Sequence, residues 1–265
     1  MRSMAHQTVT GHPALDELRS ALPHVRLLTS AADTEPYRRD ETEFVPDGQP
    51  LAVVFPTTTA EVSTVVRTCA RHRVPVVTRG GGSGLSGGAN AVEGCVVVVM
   101  TGLDRIIEID VANLVAVTQA GVITADLEKA VEAQGLLYPP DPASHELSCI
   151  GGNIAENAGG LRCVKYGVTR DYVLGLEVVL ADGEVIRTGG RMVKDVMGYD
   201  LTRLMVGSEG TLGIITEATL KLRPQSAPKT TLLAFFPSVA QAGDAVSRIT
   251  AAGVTPVTLE MLDRH

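Results

Sequence analysis

The chain has 265 residues, 45% of them hydrophobic and 20% charged, enough apolar material for a packed core in one large domain or two small ones. A net charge of -7 with dispersed Lys and Arg excludes a general nucleic-acid surface and means that an anionic ligand needs a local cation. No apolar run reaches the length of a transmembrane segment and the N-terminus has no basic cap leading into an apolar stretch, so the expected location is cytoplasmic.

Residues 1 to about 40 carry a helical pattern at Leu15, Leu18 and Leu22 that ends by Pro23, followed by a polar connection through Arg38, Arg39, Asp40, Glu41 and Glu43. Leu51 to Phe55 reads as a buried strand stopped by Pro56. Thr58 and Glu61 then form a capping box that opens a helix. Val62, Val65, Val66, Cys69 and Ala70 fall on one face of that helix, and Val74 to Thr78 is the next strand. Residues 51 to 78 are thus a βαβ unit that delivers the chain into Arg79-Gly80-Gly81-Gly82-Ser83-Gly84-Leu85-Ser86-Gly87-Gly88, six glycines in ten residues.

Such a stretch is neither helix nor sound strand, because each glycine adds chain entropy and contributes nothing to a core. Bare backbone is useful where successive N-H groups turn toward an anion and a pyrophosphate must approach closely. Gly82 to Gly87 also fits G-x-G-x-x-G, but a Rossmann fingerprint requires a helix next, and Cys95 to Met100 reads as a buried strand instead. No Lys-Ser or Lys-Thr follows, which removes the P-loop reading. What remains is a phosphate cradle in a loop between strands; the alternative is a plain linker or turn.

Ile106 to Ile109 and Leu114 to Thr118 read as strands. Thr124 is expected to cap a helix with Leu127, Ala130 and Val131 on one face and Gly135 as its stop. Leu136 to Tyr138 is a brief strand, and Pro139-Pro140-Asp141-Pro142 a rigid wall. Cys149 to Gly160 is a second concentration of Gly, Asn and Ala, where backbone can approach a flat ring and asparagine offers donor and acceptor; the alternative is a glycine-ended helix without a ligand. Tyr172 to Leu180 and Glu184 to Thr188 form a hairpin across Asp182-Gly183, and Leu201, Leu204 and Met205 suit a short helix. Gly207 to Gly213 is the third glycine cluster, leading into the alternating strand Ile214 to Leu222.

Arg223 to Pro228 reads as a domain boundary. Beyond it are expected a strand at Thr231 to Phe236, a helix capped by Ser238 with Val239, Ala242, Val246 and Ile249 inward, and an extended Val254 to Leu262, the opening of a further domain. Cys69, Cys95, Cys149 and Cys163 lack C-x-x-C spacing and are expected as buried thiols, with no metal site.

Pro56 to Val62, Arg79 to Gly88, Ile150 to Gly160, Gly198-Tyr199-Asp200-Leu201 and Gly207 to Thr216 together resemble the vanillyl-alcohol oxidase, or PCMH-type, FAD-binding domain over about residues 45 to 225. The likeness is strongest to the branch holding the glycolate oxidase D-subunit, D-lactate dehydrogenase and D-2-hydroxyglutarate dehydrogenase. It implies an α/β (α+β) fold: residues 1-44 as N-terminal helix and connection, a two-lobed flavin domain over 45-225 divided near 105, and the start of an α/β cap domain over 226-265. It also implies that Gly80, Gly81, Gly82, Ser83, Gly84, Gly87 and Gly88 hold the FAD diphosphate. Asp141, Pro142, Ser148, Gly151, Gly152, Asn153, Asn157, Gly159 and Gly160 would lie along the ribityl chain and flavin ring, and Glu209, Gly210, Thr211, Gly213, Ile214 and Ile215 beside the adenosine end. Some relatives bond the flavin covalently through a loop histidine; Ser83 stands there in this chain, which implies non-covalent FAD. The branch's substrate-binding and base residues belong to the cap domain, and Arg264-His265 is reached before any of them, so no catalytic residue is assigned and His145 reads as a solvated loop histidine. The implied activity is oxidation of a small 2-hydroxy acid by hydride transfer to flavin N5, with an electron acceptor or partner subunit. The alternatives are a non-catalytic flavin-binding module of a split enzyme and a nucleotide-sugar reductase of the same superfamily.

Overall fold

The computed structural model describes residues 11–43, 48–225 and 230–263. Helix α1 (Pro13–Ala21) starts on a proline in its first turn, where a missing N-H costs nothing, and buries Leu15 and Leu18 against the long helix described below. Strand β1 (Arg26–Leu28) and the single turn α2 (Ala31–Thr34) follow, then β2 (Ala52–Phe55), α3 (Thr59–His72), β3 (Val76–Arg79) and β4 (Val96–Val99). The α3 capping box forms as expected: Glu61 N donates to Thr58 Oγ1, and Thr58 N donates to a Glu61 carboxylate oxygen, both at 3.2 Å. The first sheet has order β1-β2-β4-β3, with β2, β4 and β3 parallel and β1 antiparallel to β2. Strand β4 is the centre, and its four consecutive valines are all buried because both faces are covered. The glycine loop runs from the carboxyl end of β3 across to β4, the edge at which open α/β sheets receive ligands.

The second lobe comprises β5 (Ile106–Asp110), β6 (Val115–Gln119), α4 (Thr124–Glu132), β7 (Leu136–Leu137), α5 (Ile150–Glu156), α6 (Cys163–Tyr166), β8 (Val173–Val179), β9 (Val185–Gly189), α7 (Leu201–Met205), β10 (Ile214–Lys221) and β11 (Arg223–Pro224). Its antiparallel sheet has order β5-β6-β10-β8-β9. Ile215, Ala218 and Leu220 of β10 join Leu127, Val131, Ile150 and Ile154 from α4 and α5 in a core, while a register shift between Ile215 and Glu217 leaves Ile214 to the core of the first lobe. The lobes meet where α3 lies on the β8-β9 hairpin. Thr59 Oγ1 donates to Glu177 Oε1 (2.6 Å), and Ser63 Oγ (2.6 Å) and Arg67 Nη2 (3.2 Å) both donate to the Gly183 carbonyl.

Several expectations are corrected. The N-terminal segment is no mere peripheral connection, because β1 extends the first sheet. Thr124 is the first residue of α4 and Ile123 occupies the cap, since the Thr124 hydroxyl is committed to Ser148 and Asn153. Arg223 and Pro224, read as boundary, form β11 against β7, while the rest of that boundary, residues 226–228, lies outside the described residues. Cys163 is half-buried, unlike the other three thiols. Thr231 to Phe236 and Val254 to Leu262 form no strand: among the described residues neither is paired with a neighbouring strand. Helix α8 (Val239–Ala251) forms under local control, with Ser238 Oγ accepting from Gln241 N, but no residue of it is buried, so Val239 and Ile249 face outward.

Candidate functional site

The three glycine patches line a single cleft of about 350 Å³ between the two lobes. From the β3-β4 loop it receives Gly80, Gly81, Gly82, Ser83, Gly84 and Gly88; from the Ser148 to Gly159 stretch Ser148, Gly151, Gly152, Asn153, Asn157 and Gly159; and from the turn before β10 Glu209, Gly210 and Gly213, with Ile214 and Ile215 from the start of β10 itself.

Close backbone contact sets this convergence. A side chain on Gly80 would collide with the Cys149 sulfur, one on Gly81 with the Leu147 carbonyl, so only glycine lets the loop lie on the entry to α5. At the other end of α5 the Ile154 and Ala155 carbonyls accept from Gly207 N and Glu209 N at 3.0 Å each, which docks the third patch onto the second. Asn157 and Glu209 both take left-handed backbone (φ 51°) to make that junction. Ser86 Oγ donates to both Glu156 oxygens (2.9 and 2.8 Å), tying the first patch to the same helix end.

Within the glycine loop the N-H groups of Gly82 through Gly88 donate no hydrogen bond to any described residue. Seven consecutive unspent donors, five of them at positions that line the cleft and four on residues without a Cβ, fit a diphosphate. Three carboxylates also stand near. A Cβ on Gly84 would lie 3.4 Å from Glu156 Oε1 and 3.5 Å from Asp40 Oδ2, and one on Gly88 3.1 Å from Glu209 Oε2. Burial pushes the Glu156 carboxyl up, with Glu209 and Asp40 adding to the shift and the Ser86 hydroxyl opposing it.

Not every expected residue reaches the cleft. Asp141 is consumed by Arg162, accepting from its backbone N (3.0 Å) and pairing with its Nε (3.0 Å), while Arg162 Nη1 holds Glu128 Oε1 at 3.1 Å. Gly160 packs its bare α-carbon on the Asp141 carbonyl, and Pro142 accepts through its carbonyl from His145 N (2.9 Å). Gly87 and Thr211 likewise lie off the lining, Thr211 Oγ1 donating to Ser208 O. Asn153 lines the cleft, but its Nδ2 donates to Thr124 Oγ1 (2.6 Å). His145 does not line it either: its Nδ1 lies 3.2 Å from the Pro142 carbonyl. Residues missed from the sequence include Thr78, Met100, Ala120, Ser144, Cys149 and Glu156. Thr78 stands at the carboxyl end of β3, and Met100 and Ala120 immediately follow β4 and β6, a position that strand ends alone could have marked.

Residues 50–189 match the FAD binding domain family, and residues 225–265 the C-terminal domain of FAD linked oxidases. The chain belongs to the FAD-binding family. It is 57% identical over 81% of its length to glycolate oxidase subunit GlcD of Bacillus subtilis, covering 46% of that protein, and 42% identical over 85% of its length to a D-lactate dehydrogenase of Anaerostipes hadrus, covering 47%. Its fold matches alkyldihydroxyacetonephosphate synthase with a TM-score of 0.79 at 25% identity, over 94% of this chain and 47% of that one. The chain thus spans about half the length of the relatives it matches. FAD is the cofactor that the family binds, and the unspent N-H row and the glycine faces of the cleft fit it. No helix among the described residues is long and apolar enough to cross a membrane.

Proposed function

We propose that the chain is the FAD-holding part of an oxidoreductase acting on a small 2-hydroxy acid of the glycolate or D-lactate type. The observation that carries the reading is the convergence of three bare-backbone patches, distant in sequence, on one cleft. The substrate class is supported by the names of the relatives, glycolate oxidase and D-lactate dehydrogenase. Bound FAD would supply a two-electron acceptor for the hydroxyl-bearing carbon, chemistry that no side chain offers.

This chain's own residues bind and orient. The N-H groups of Gly82, Ser83, Gly84, Leu85 and Gly88 take the diphosphate, and the α5 glycines allow the ring to lie against backbone. Met100, Ala120, Ile214 and Ile215 exclude water from one wall. Attachment is non-covalent: among the described residues no histidine lines the cleft, and burial pushes the Cys149 thiol up, away from the nucleophilic thiolate. The four free thiols suit a reducing compartment, and we place the protein in the cytoplasm. Residues that recognise the acid and take its hydroxyl proton would come from the remaining half of such an enzyme or from a partner subunit.

The test is the absorption spectrum of the purified protein before and after denaturation, followed by anaerobic addition of D-lactate, glycolate or NADPH in the presence of the C-terminal half. Yellow colour released on denaturation, and bleaching by a hydroxy acid, are expected. Bleaching by NADPH alone would replace the reading with a reductase, and colour without any bleaching would leave a binding module.

A further inference from the structure

Arg79 closes β3 and is buried, with 9% of its surface exposed. Among the described residues one of its five N-H donors is spent, Nη1 giving a 2.6 Å bond to the Arg39 carbonyl, and it forms no ion pair. Its guanidinium lies directly against Gly82: a Cβ there would be 2.5 Å from Cζ, and the glycine takes φ 79°. Arg79 is absent from the cleft lining while Gly82, against which its guanidinium lies, belongs to it, so Arg79 sits behind the loop. Burial lowers its pKa from the ordinary value, while Asp40, Tyr37 and Glu41 pull it back up. The Asp40 Oδ2 atom is itself buried without a hydrogen-bond partner.

A buried guanidinium that uses one donor is costly to fold unless something else draws on its charge. The surroundings show what needs it. Asp40, Glu156 and Glu209 crowd the loop and would repel a dianion, and the chain's net charge is -7. Low-dielectric burial lets one fixed cation act through a thin glycine layer far more strongly than a solvated lysine would. We propose that Arg79 is the fixed counter-charge of the FAD diphosphate, acting from behind the glycine loop and making the site select flavins that carry the diphosphate over those that lack it. The inference rests on the FAD reading.

The experiment titrates the full chain, as wild type, Arg79→Met and Arg79→Lys, with FAD and with riboflavin at two ionic strengths, following flavin fluorescence and checking each fold by circular dichroism. Arg79→Met is expected to weaken FAD by at least about tenfold and to flatten its salt dependence, with riboflavin unchanged; Arg79→Lys, which keeps the charge, stays within about threefold of wild type. Equal weakening of both flavins by Arg79→Met, or unchanged FAD affinity, overturns the inference in favour of a loop-shaping role. If Arg79→Met does not fold, loss of FAD by a folded Arg79→Lys overturns it in the same way. Wild-type protein that binds neither flavin refutes the FAD reading itself.

Discussion

Gly152 separates what the fold wants from what the ligand wants. It lies within α5 with ordinary backbone, and within 4 Å a Cβ added there meets only the Cys149 sulfur, at 3.5 Å, an ordinary contact. For the empty protein, Gly152→Ala should therefore be favourable: replacing glycine inside a helix gains about 0.5–1 kcal/mol, or ~1–4 °C in a chain of this size. The same methyl stands on the glycine face that lines the cleft, and forcing one extra carbon into a close-packed contact costs about 1–3 kcal/mol. That loss corresponds to a roughly 5- to 150-fold weaker FAD complex. Thermal unfolding of apo protein and a fluorescence titration with FAD read the two effects separately. Melting at or above the wild-type temperature together with weakened FAD is the expected pair. FAD affinity within about twofold of wild type would show that this glycine does not face the ligand, and the cradle argument would fail with it. Gly151→Ala is the control, since its Cβ would lie 2.6 Å from the Ala120 Cβ and 3.0 Å from the Ala120 carbonyl and should destabilise even the empty protein.

Three further outcomes are expected. Thr59→Val removes the 2.6 Å inter-lobe bond to Glu177 and should cost about 1–3 kcal/mol in urea unfolding, because it leaves a mostly buried carboxylate short of a donor; an unchanged midpoint would show that the contact is idle. Asp141→Asn breaks the pairing with Arg162 and should cost about 3 kcal/mol in stability while changing FAD affinity far less, the reverse of what a ligand residue would do. For pH, burial raises the Glu177 carboxyl but bonds from Thr59, Thr216 and Arg187 together outweigh it and hold it below the usual range. Its contribution is therefore complete above the ordinary glutamate pKa and is lost as pH falls through the lower folded value. Glu156 runs the other way: its pKa is raised, so the folded protein binds this proton more tightly and the contribution present at low pH is lost as pH rises through the folded value. Glu156→Gln should shrink the loss of apo stability on the alkaline side and Glu177→Gln the loss on the acid side, Glu128 and Glu61 keeping a share of each, and limbs that survive unchanged would refute these assignments.

Much of the architecture could be read from the chain because local rules and tertiary packing agree. The Thr58 capping box, the β4 valines and the alternation of β10 beyond Thr216 each state their environment in their own residues, whereas the register shift after Ile215 left no mark in the sequence. The glycine patches were legible for a different reason: bare backbone is costly, so its repetition implies a use. What was hidden depended on partners. Asp141 looks like a ligand residue until Arg162, far along the chain, takes both of its oxygens. Thr124 looks like a helix cap until Asn153 and Ser148 claim its hydroxyl. Strand β1 is three residues long and is made a strand only by β2. The apolar residues around Leu232 and Phe235 carry strand propensity, but propensity without a neighbouring strand produces none.

The most direct test of the central claim is amide hydrogen exchange of the full chain with and without FAD. A single dinucleotide spanning the cleft should slow exchange together in residues 80–88, 150–159 and 209–215, and leave α8 unchanged. Protection confined to one of these segments, or none in any of them at saturating FAD, would contradict the account.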